Sequence, residues 1–154
     1  MTPEPITFDP ATVEVGTTLA PLTVSFTRAD LVRYAGASTD FNPIHYSDRQ
    51  ASAVGLPGVI AHGMLTMGTA LRVVTDWVGD PARVLSYFVR FTKPVVVPDD
   101  DDGVQVRFTG TVTAVVDQVA TVSLEAVCGD EKVLGAARAE VGLGVGPRPP
   151  EEPT

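Results

Sequence analysis

The longest regular pattern in the chain runs from Ala61 to Val78. Met64, Met67, Leu71, Val74 and Val78 recur at steps of three and four, and only Arg72 and Asp76 are charged in that span. Such a period predicts an α-helix. So few charges predict a helix that is mostly buried rather than half-wet on a surface. Gly79 and Asp80–Pro81 stop it. The pattern then changes to alternation. Leu85, Tyr87, Val89 and Phe91 alternate with Ser86, Phe88, Arg90 and Thr92, and Val104, Val106 and Phe108 alternate with Gln105, Arg107 and Thr109. Alternation of this kind predicts strands. Further strand runs cover about 111–128, with a turn near Asp117–Gln118, and about 132–143 after a turn at Gly129–Asp130. The short connections imply antiparallel hairpins.

Upstream of the long helix, PLTVSF (21–26) reads as a strand. Thr27 is placed to cap a helix over RADLVRYAGAS, with Leu31, Val32, Tyr34 and Ala35 on its apolar side. STDFNP breaks that helix, because Pro43 disfavours helical geometry at Asn42. A short helix around 47–53, capped by Ser47, and a turn at GLPG (55–58) follow. The order is one strand, two or three helices, then about four antiparallel strands. A long, nearly uncharged helix needs a cover, and a curved antiparallel sheet wrapped round it supplies one. The fold class is therefore α+β. The strand edge left over invites dimerisation.

Length and composition narrow the functional classes. The chain has 154 residues, which suggests one domain, placed at 13–143. Residues 1–12 and 144–154 are rich in proline and polar groups and read as loose tails. A net charge of −8 argues against a nucleic-acid partner. It leaves room for an anionic ligand held by a few local arginines. The chain lacks a membrane-span pattern, and MTPEPITFDP lacks the basic and apolar regions of a secretory signal. The single cysteine, Cys128, has no internal disulfide partner, so the expected compartment is the cytoplasm and the expected role of Cys128 is packing. The acidic run Asp99–Asp102, followed by Gly103, reads as a solvated turn and lacks the ligand spacing of a calcium loop.

The candidate chemistry sits in STDFNPIHYSD, residues 38–48. Asp40 and His45 lie five apart in a loop stiffened by Pro43, so the chain can fold them towards one point. A carboxylate and an imidazole facing one water can activate it and return a proton. Asp and Asn before a proline are also ordinary turn formers, and on this loop alone that plainer reading leads. The second histidine alters the weighing. AHGM (61–64) opens the apolar helix, where unpaired N–H groups and the positive end of the helix dipole meet. Gly63 lets a ligand approach the backbone, and its N–H can hold a carbonyl oxygen that gains negative charge. Taken alone, His62 is better read as a packed neighbour of that glycine. Asp40, His45 and His62 match a two-histidine, one-carboxylate metal set in residue type, but the spacing and the fold do not suit one, and no metal is expected.

The segment YAGASTDFNPIH (34–45), followed by AHGM (61–64), resembles the MaoC-like (R)-specific hydratase family. The resemblance runs from about residue 20 to 143. It implies the hot-dog fold, an antiparallel sheet wrapped around a long helix. VIAHGMLTMG (59–68), WVGDP (77–81) and VRFTKPVVVP (89–98) look most like the catalytic β subunits of actinobacterial (3R)-hydroxyacyl-ACP dehydratases of mycolic acid synthesis. The implied activity is interconversion of trans-2-enoyl and (3R)-3-hydroxyacyl thioesters. No cofactor is implied beyond the CoA or ACP phosphopantetheine that carries the substrate. In this resemblance Asp40 and His45 match the acid–base pair, Asn42 the loop asparagine that supports it, and the Gly63 N–H the donor to the thioester oxygen. A homodimer, or a heterodimer with a second hot-dog chain that shapes an acyl tunnel, is implied as well. Leu56, Val59, Ile60 and Met67 are candidate tunnel walls. Thr39 and Leu71 depart from the pattern, standing where many members have glycine and some have serine. A thioesterase and a non-catalytic acyl-binding subunit are the rival readings.

Overall fold

The computed structural model describes residues 8–144. The elements are β1 (Leu22–Phe26), α1 (Arg28–Ser38), α2 (Asp48–Ala53), α3 (Gly63–Val78), β2 (Val84–Phe91), β3 (Val104–Val116), β4 (Val119–Cys128), β5 (Glu131–Lys132) and β6 (Leu134–Gly142). The strands form one antiparallel sheet in the order β1-β3-β4-β6-β2, with β5 paired to β4. The sheet packs on one face of α3 only: the helix expected to be mostly buried leaves Met64, Gly68, Arg72 and Asp76 exposed along its other face. Among the described residues no helix is long and apolar enough to cross a membrane. Of the expected N-terminal tail, residues 8–12 are described, and Phe8 lies edge-on to Trp77 at 5.0 Å. The expected C-terminal tail lies outside the described residues except for Gly144.

The seam between α3 and the sheet differs from the predicted stripe. Thr66, Ala70, Val73, Val74 and Val78 are buried, whereas Met64 is exposed and Met67 and Leu71 are only partly covered. Small residues explain the shift. Ala70 is fully buried, and a Cβ at Gly110 of β3 would stand 3.1 Å from Val73 Cγ1 and 3.2 Å from Leu124 Cδ2. Helix and sheet therefore approach closely along the Ala70–Val73 line, and the methionines turn away from it. The same glycine does not interrupt the strand. The runs read as 104–109 and 111–116 form one strand, β3. Asp117 and Gln118, both at positive φ (49° and 60°), make the tight turn into β4.

Arg28 and Asp48 knit the helical side together. The Arg28 guanidinium donates to both Asp48 carboxylate oxygens and, through Nε, to the Val97 carbonyl at 2.7 Å. Asp48 also accepts from the Val59 N–H at 3.0 Å. These hydrogen bonds and the neighbouring arginine hold the Asp48 carboxyl below the usual carboxylate range. Val59–Ala61 is in turn paired with Val95–Val97. The backbone just before α3 is thereby locked, and it carries the Ile60 carbonyl against which the His45 ring is held.

Candidate active site

Helix α1 stops at Thr39, whose φ of 62° turns the chain away. Two side-chain caps in series then shape the loop. Asp40 Oδ1 accepts from the Asn42 N–H at 3.2 Å, and Asn42 Oδ1 accepts from the Ile44 N–H at 3.2 Å. Pro43 opens the single 3-10 turn Pro43–His45, with Asn42 extended before it as its proline neighbour requires. The turn swings His45 inward, where it is 8% exposed. Its Nδ1 lies 2.7 Å from the Ile60 carbonyl. A carbonyl only accepts, so Nδ1 carries the hydrogen, and neutral His45 presents a bare Nε2 lone pair. Nε2 stands 3.8 Å from Asp40 Oδ2, and the Asp40 side chain is half exposed. That gap is too long for a direct hydrogen bond, yet one water oxygen about 2.8 Å from each atom fits it.

His62 lies beneath the pair and is 1% exposed. Its ring stacks on His45 with centroids 3.7 Å apart and planes 22° from parallel, and the Tyr34 ring meets it edge-on at 4.8 Å. Its Nε2–H donates to the Asp40 backbone carbonyl at 3.1 Å. Its Nδ1 has no hydrogen-bond partner among the described residues. Burial pushes the His62 pKa down, against a smaller upward pull from the Asp40 hydrogen bond. In the unfolded chain His62 takes a proton near its ordinary 6.5, and the folded protein resists that proton to lower pH. The unfolded state then binds more protons as pH falls below about 6.5, so stability drops with pH across that window. Asp30 and Asp48, both held below 3.8, lose their contributions only at lower pH. Thermal melts from about pH 7.5 to about pH 5 are expected to show a falling Tm whose slope flattens in His62→Gln.

Asp40, His45 and Gly63 line one cavity of about 440 Å³, walled by Ile60, Met64, Thr66, Phe91, Lys93 and Leu134. Gly63 opens α3, so its N–H has no acceptor within the helix and sits at the positive end of the dipole. The Phe91 ring covers it so closely that a Cβ there would stand 3.0 Å from Cε1. Asn42 is outside the cavity lining and acts on the loop. Of the candidate tunnel walls, Ile60 lines this cavity, whereas Val59 is packed in the core and Leu56 and Met67 lie outside the lining. Leu71 packs beside the core, also away from the cavity.

Thr66, Phe91 and Lys93 were not singled out from the sequence. Thr66 carried a partial signal, being a hydroxyl one helical turn beyond Gly63, but that it lies on the buried side is seen only in the packed chain. Phe91 and Lys93 come from a strand and the loop after it, and their placement depends on tertiary packing alone.

Asp40, His45 and His62 do offer ligand atoms within 4.8 Å of one another. As a metal set they fit poorly. His45 Nδ1 and His62 Nε2 are spent on backbone carbonyls, and two stacked imidazoles aim their remaining lone pairs side by side instead of at one point.

The geometry is that of an apolar cleft with a carboxylate and an imidazole on one wall and the first residue of α3 on another. The chain belongs to the MaoC-like domain family, whose model matches residues 10–132. It is similar to the (R)-specific enoyl-CoA hydratase of Rhodospirillum rubrum, at 31% identity over 71% of this chain and 73% of that one. A solved MaoC-like dehydratase superposes with a TM-score of 0.84 at 36% identity, covering 90% of this chain and 43% of its own. The ChsH1-ChsH2 complex from Mycobacterium tuberculosis superposes with a TM-score of 0.73 at 28% identity, covering 85% of this chain and 98% of the matched chain. These neighbours share the hot-dog fold. Of the 3-hydroxyacyl-thioester dehydratase X of Mycobacterium tuberculosis and of the fungal fatty acid synthase β subunits that it matches, the chain spans a quarter of the length or less.

Proposed function

We propose that this chain is a hydro-lyase that interconverts trans-2-enoyl thioesters and (3R)-3-hydroxyacyl thioesters. The observation that carries this reading is the 3.8 Å separation of His45 Nε2 and Asp40 Oδ2 in the cavity that Gly63 also lines. In the hydration direction one water sits between the two side chains. As its oxygen bonds to C3, the pair takes one of its protons and a proton is delivered to C2. The carbon–carbon double bond is consumed and the thioester is retained. Negative charge that builds on the thioester oxygen is met by the Gly63 N–H. Asp40 and His45 act as one coupled unit, so the two proton transfers belong to the pair. The reaction needs no cofactor beyond the substrate's own CoA or ACP carrier. The hydratase name carried by the Rhodospirillum rubrum relative supports the assignment.

A second hot-dog chain completes the site in this reading. Met64 and Phe91 line the cavity while 58% and 52% exposed, so one wall stands open. Phe91 belongs to β2, an edge strand that also exposes Leu85 and Phe88. Both the paired chains of the ChsH1-ChsH2 complex and the longer chain of the MaoC-like dehydratase are consistent with such a cover.

The test is hydration of crotonyl-CoA and of a longer trans-2-enoyl-CoA by the purified chain, followed as loss of the conjugated absorbance. Chiral analysis and a free-thiol assay run alongside, and light scattering gives the mass of the active species. Formation of the (3R)-hydroxy product without thiol release is expected. Thiol release without hydration would make the protein a thioesterase and sink the proposal.

A further inference from the structure

The His62 side chain touches both members of the acid–base pair. Its ring lies flat against His45, and its Nε2–H holds the backbone carbonyl of Asp40. The two contacts act at right angles. Stacking resists displacement of the His45 ring perpendicular to its plane, and the hydrogen bond lies along the ring plane and tethers the start of the loop. His62 is itself immobilised, buried at the head of α3 with Tyr34 against its edge. Asp40 needs such a tether. Its carboxylate is half exposed, and the residue before it, Thr39, occupies left-handed backbone that a non-glycine residue adopts at a cost. A histidine that only filled space would not need a buried nitrogen without a partner, since an apolar ring of the same size avoids that cost.

We propose that His62 is a positioning residue that sets the distance between Asp40 and His45 through its Nε2–H bond to the Asp40 carbonyl. The inference rests on the hydro-lyase reading for its consequence on turnover, and on the hydrogen bond alone for its structural content. The titratable groups facing His62 are His45, Asp40 and Tyr34.

Two substitutions separate positioning from packing. His62→Gln places an amide N–H where Nε2–H was and gives up the stacked ring. His62→Phe keeps a ring between Tyr34 and His45 and gives up the donor. Packing alone predicts that Phe equals or exceeds Gln in both Tm and kcat. Positioning predicts opposite orders, with Phe equal or higher in Tm and Gln higher in kcat. The expected loss for His62→Phe is about tenfold to a hundredfold in kcat with KM changed less than about threefold, as befits a pair displaced by a fraction of an ångström. His62→Gln is expected to recover at least about fivefold of that loss.

Wild-type kcat in both variants, or kcat that follows Tm, would overturn the proposal. A separate readout needs no turnover. Ring-nitrogen chemical shifts at about pH 7.5, in a chain with two histidines to assign, are expected to show His62 neutral with its hydrogen on Nε2. A hydrogen on Nδ1, or a charged ring, would overturn the proposal even if the wild type hydrates nothing. Inactivity of the wild type in a preparation whose mass is that of a hot-dog pair, with the Nε2–H tautomer present, would sink the hydro-lyase reading and leave the tether standing.

Discussion

Asp40→Asn is expected to lower turnover by about 10²–10⁴ while leaving the fold in place. The substitution is nearly isosteric, and Asn Oδ1 can still accept the Asn42 N–H that Asp40 Oδ1 holds. The side chain is half exposed, so no buried charge is removed and no cavity is created. A change in stability within about 0.5 kcal/mol follows. What disappears is the carboxylate's ability to take and return a proton, for which an amide has no substitute. His45 stays in place, because it is held by the Ile60 carbonyl and by the His62 ring, neither of which depends on the Asp40 carboxylate. The effect belongs in kcat, with KM little changed, since the apolar wall of the cavity and the Gly63 N–H are untouched and Asn keeps the size of the Asp40 side chain. Stopped-flow hydration of crotonyl-CoA and a thermal melt on the same preparation decide it. Near-wild-type turnover in a folded variant would remove Asp40 from the chemistry.

The approach of Asp40 to His45 was legible in the sequence because their loop is local. An acid, an amide and a proline ahead of a histidine dictate a capped turn, and the hydrogen bonds from Asn42 and Ile44 follow that pattern. The bounds of α1 were legible for the same reason. Thr27 and Asp30 form a reciprocal cap at one end, and Pro43 forbids continuation beyond the other. What was hidden depends on partners distant in sequence. The apolar stripe of α3 predicts a buried face, but which face meets the sheet is decided by Ala70 facing the close approach at Gly110, forty positions downstream. Met64 satisfies the helical period and still points outward. The covering of Gly63 by Phe91 joins a helix start to an edge strand. His62 reads as a neighbour of a glycine until its ring is seen stacked on His45. The meeting of an acid and a histidine within one loop can thus be read from spacing, whereas the contacts that hold the two in register need the packed chain.

Gly103→Ala is expected to be the most destabilising glycine-to-alanine change among the described residues. Gly103 closes the acidic run Asp99–Asp102 and leads into β3. The run is a turn, as its composition predicts. Asp100 Oδ1 accepts from the N–H groups of Asp102 and Gly103, and the Ser25 hydroxyl donates to the Asp102 carbonyl. These bonds draw the turn onto the end of β1, where Phe26 pairs with Val104. Gly103 has a φ of +69°, and a Cβ there would stand 2.3 Å from the Phe26 carbonyl oxygen. Left-handed backbone costs alanine about 1–2 kcal/mol. The clash adds about 1–3 kcal/mol, because the obstructing atom is backbone in a paired strand and cannot rotate away. A total near 3 kcal/mol lowers Tm by about 6–12 °C in a domain of this size. Asp101→Asn, a neighbour whose carboxylate makes none of these bonds, is expected to stay within about 0.5 kcal/mol. Differential scanning calorimetry of the two variants separates the outcomes. Equal, small shifts would show that the turn tolerates a side chain at Gly103 and that β1 yields at Phe26. A large shift confined to Gly103→Ala would show that glycine supplies the rigidity of the turn and that the acidic residues around it set its charge.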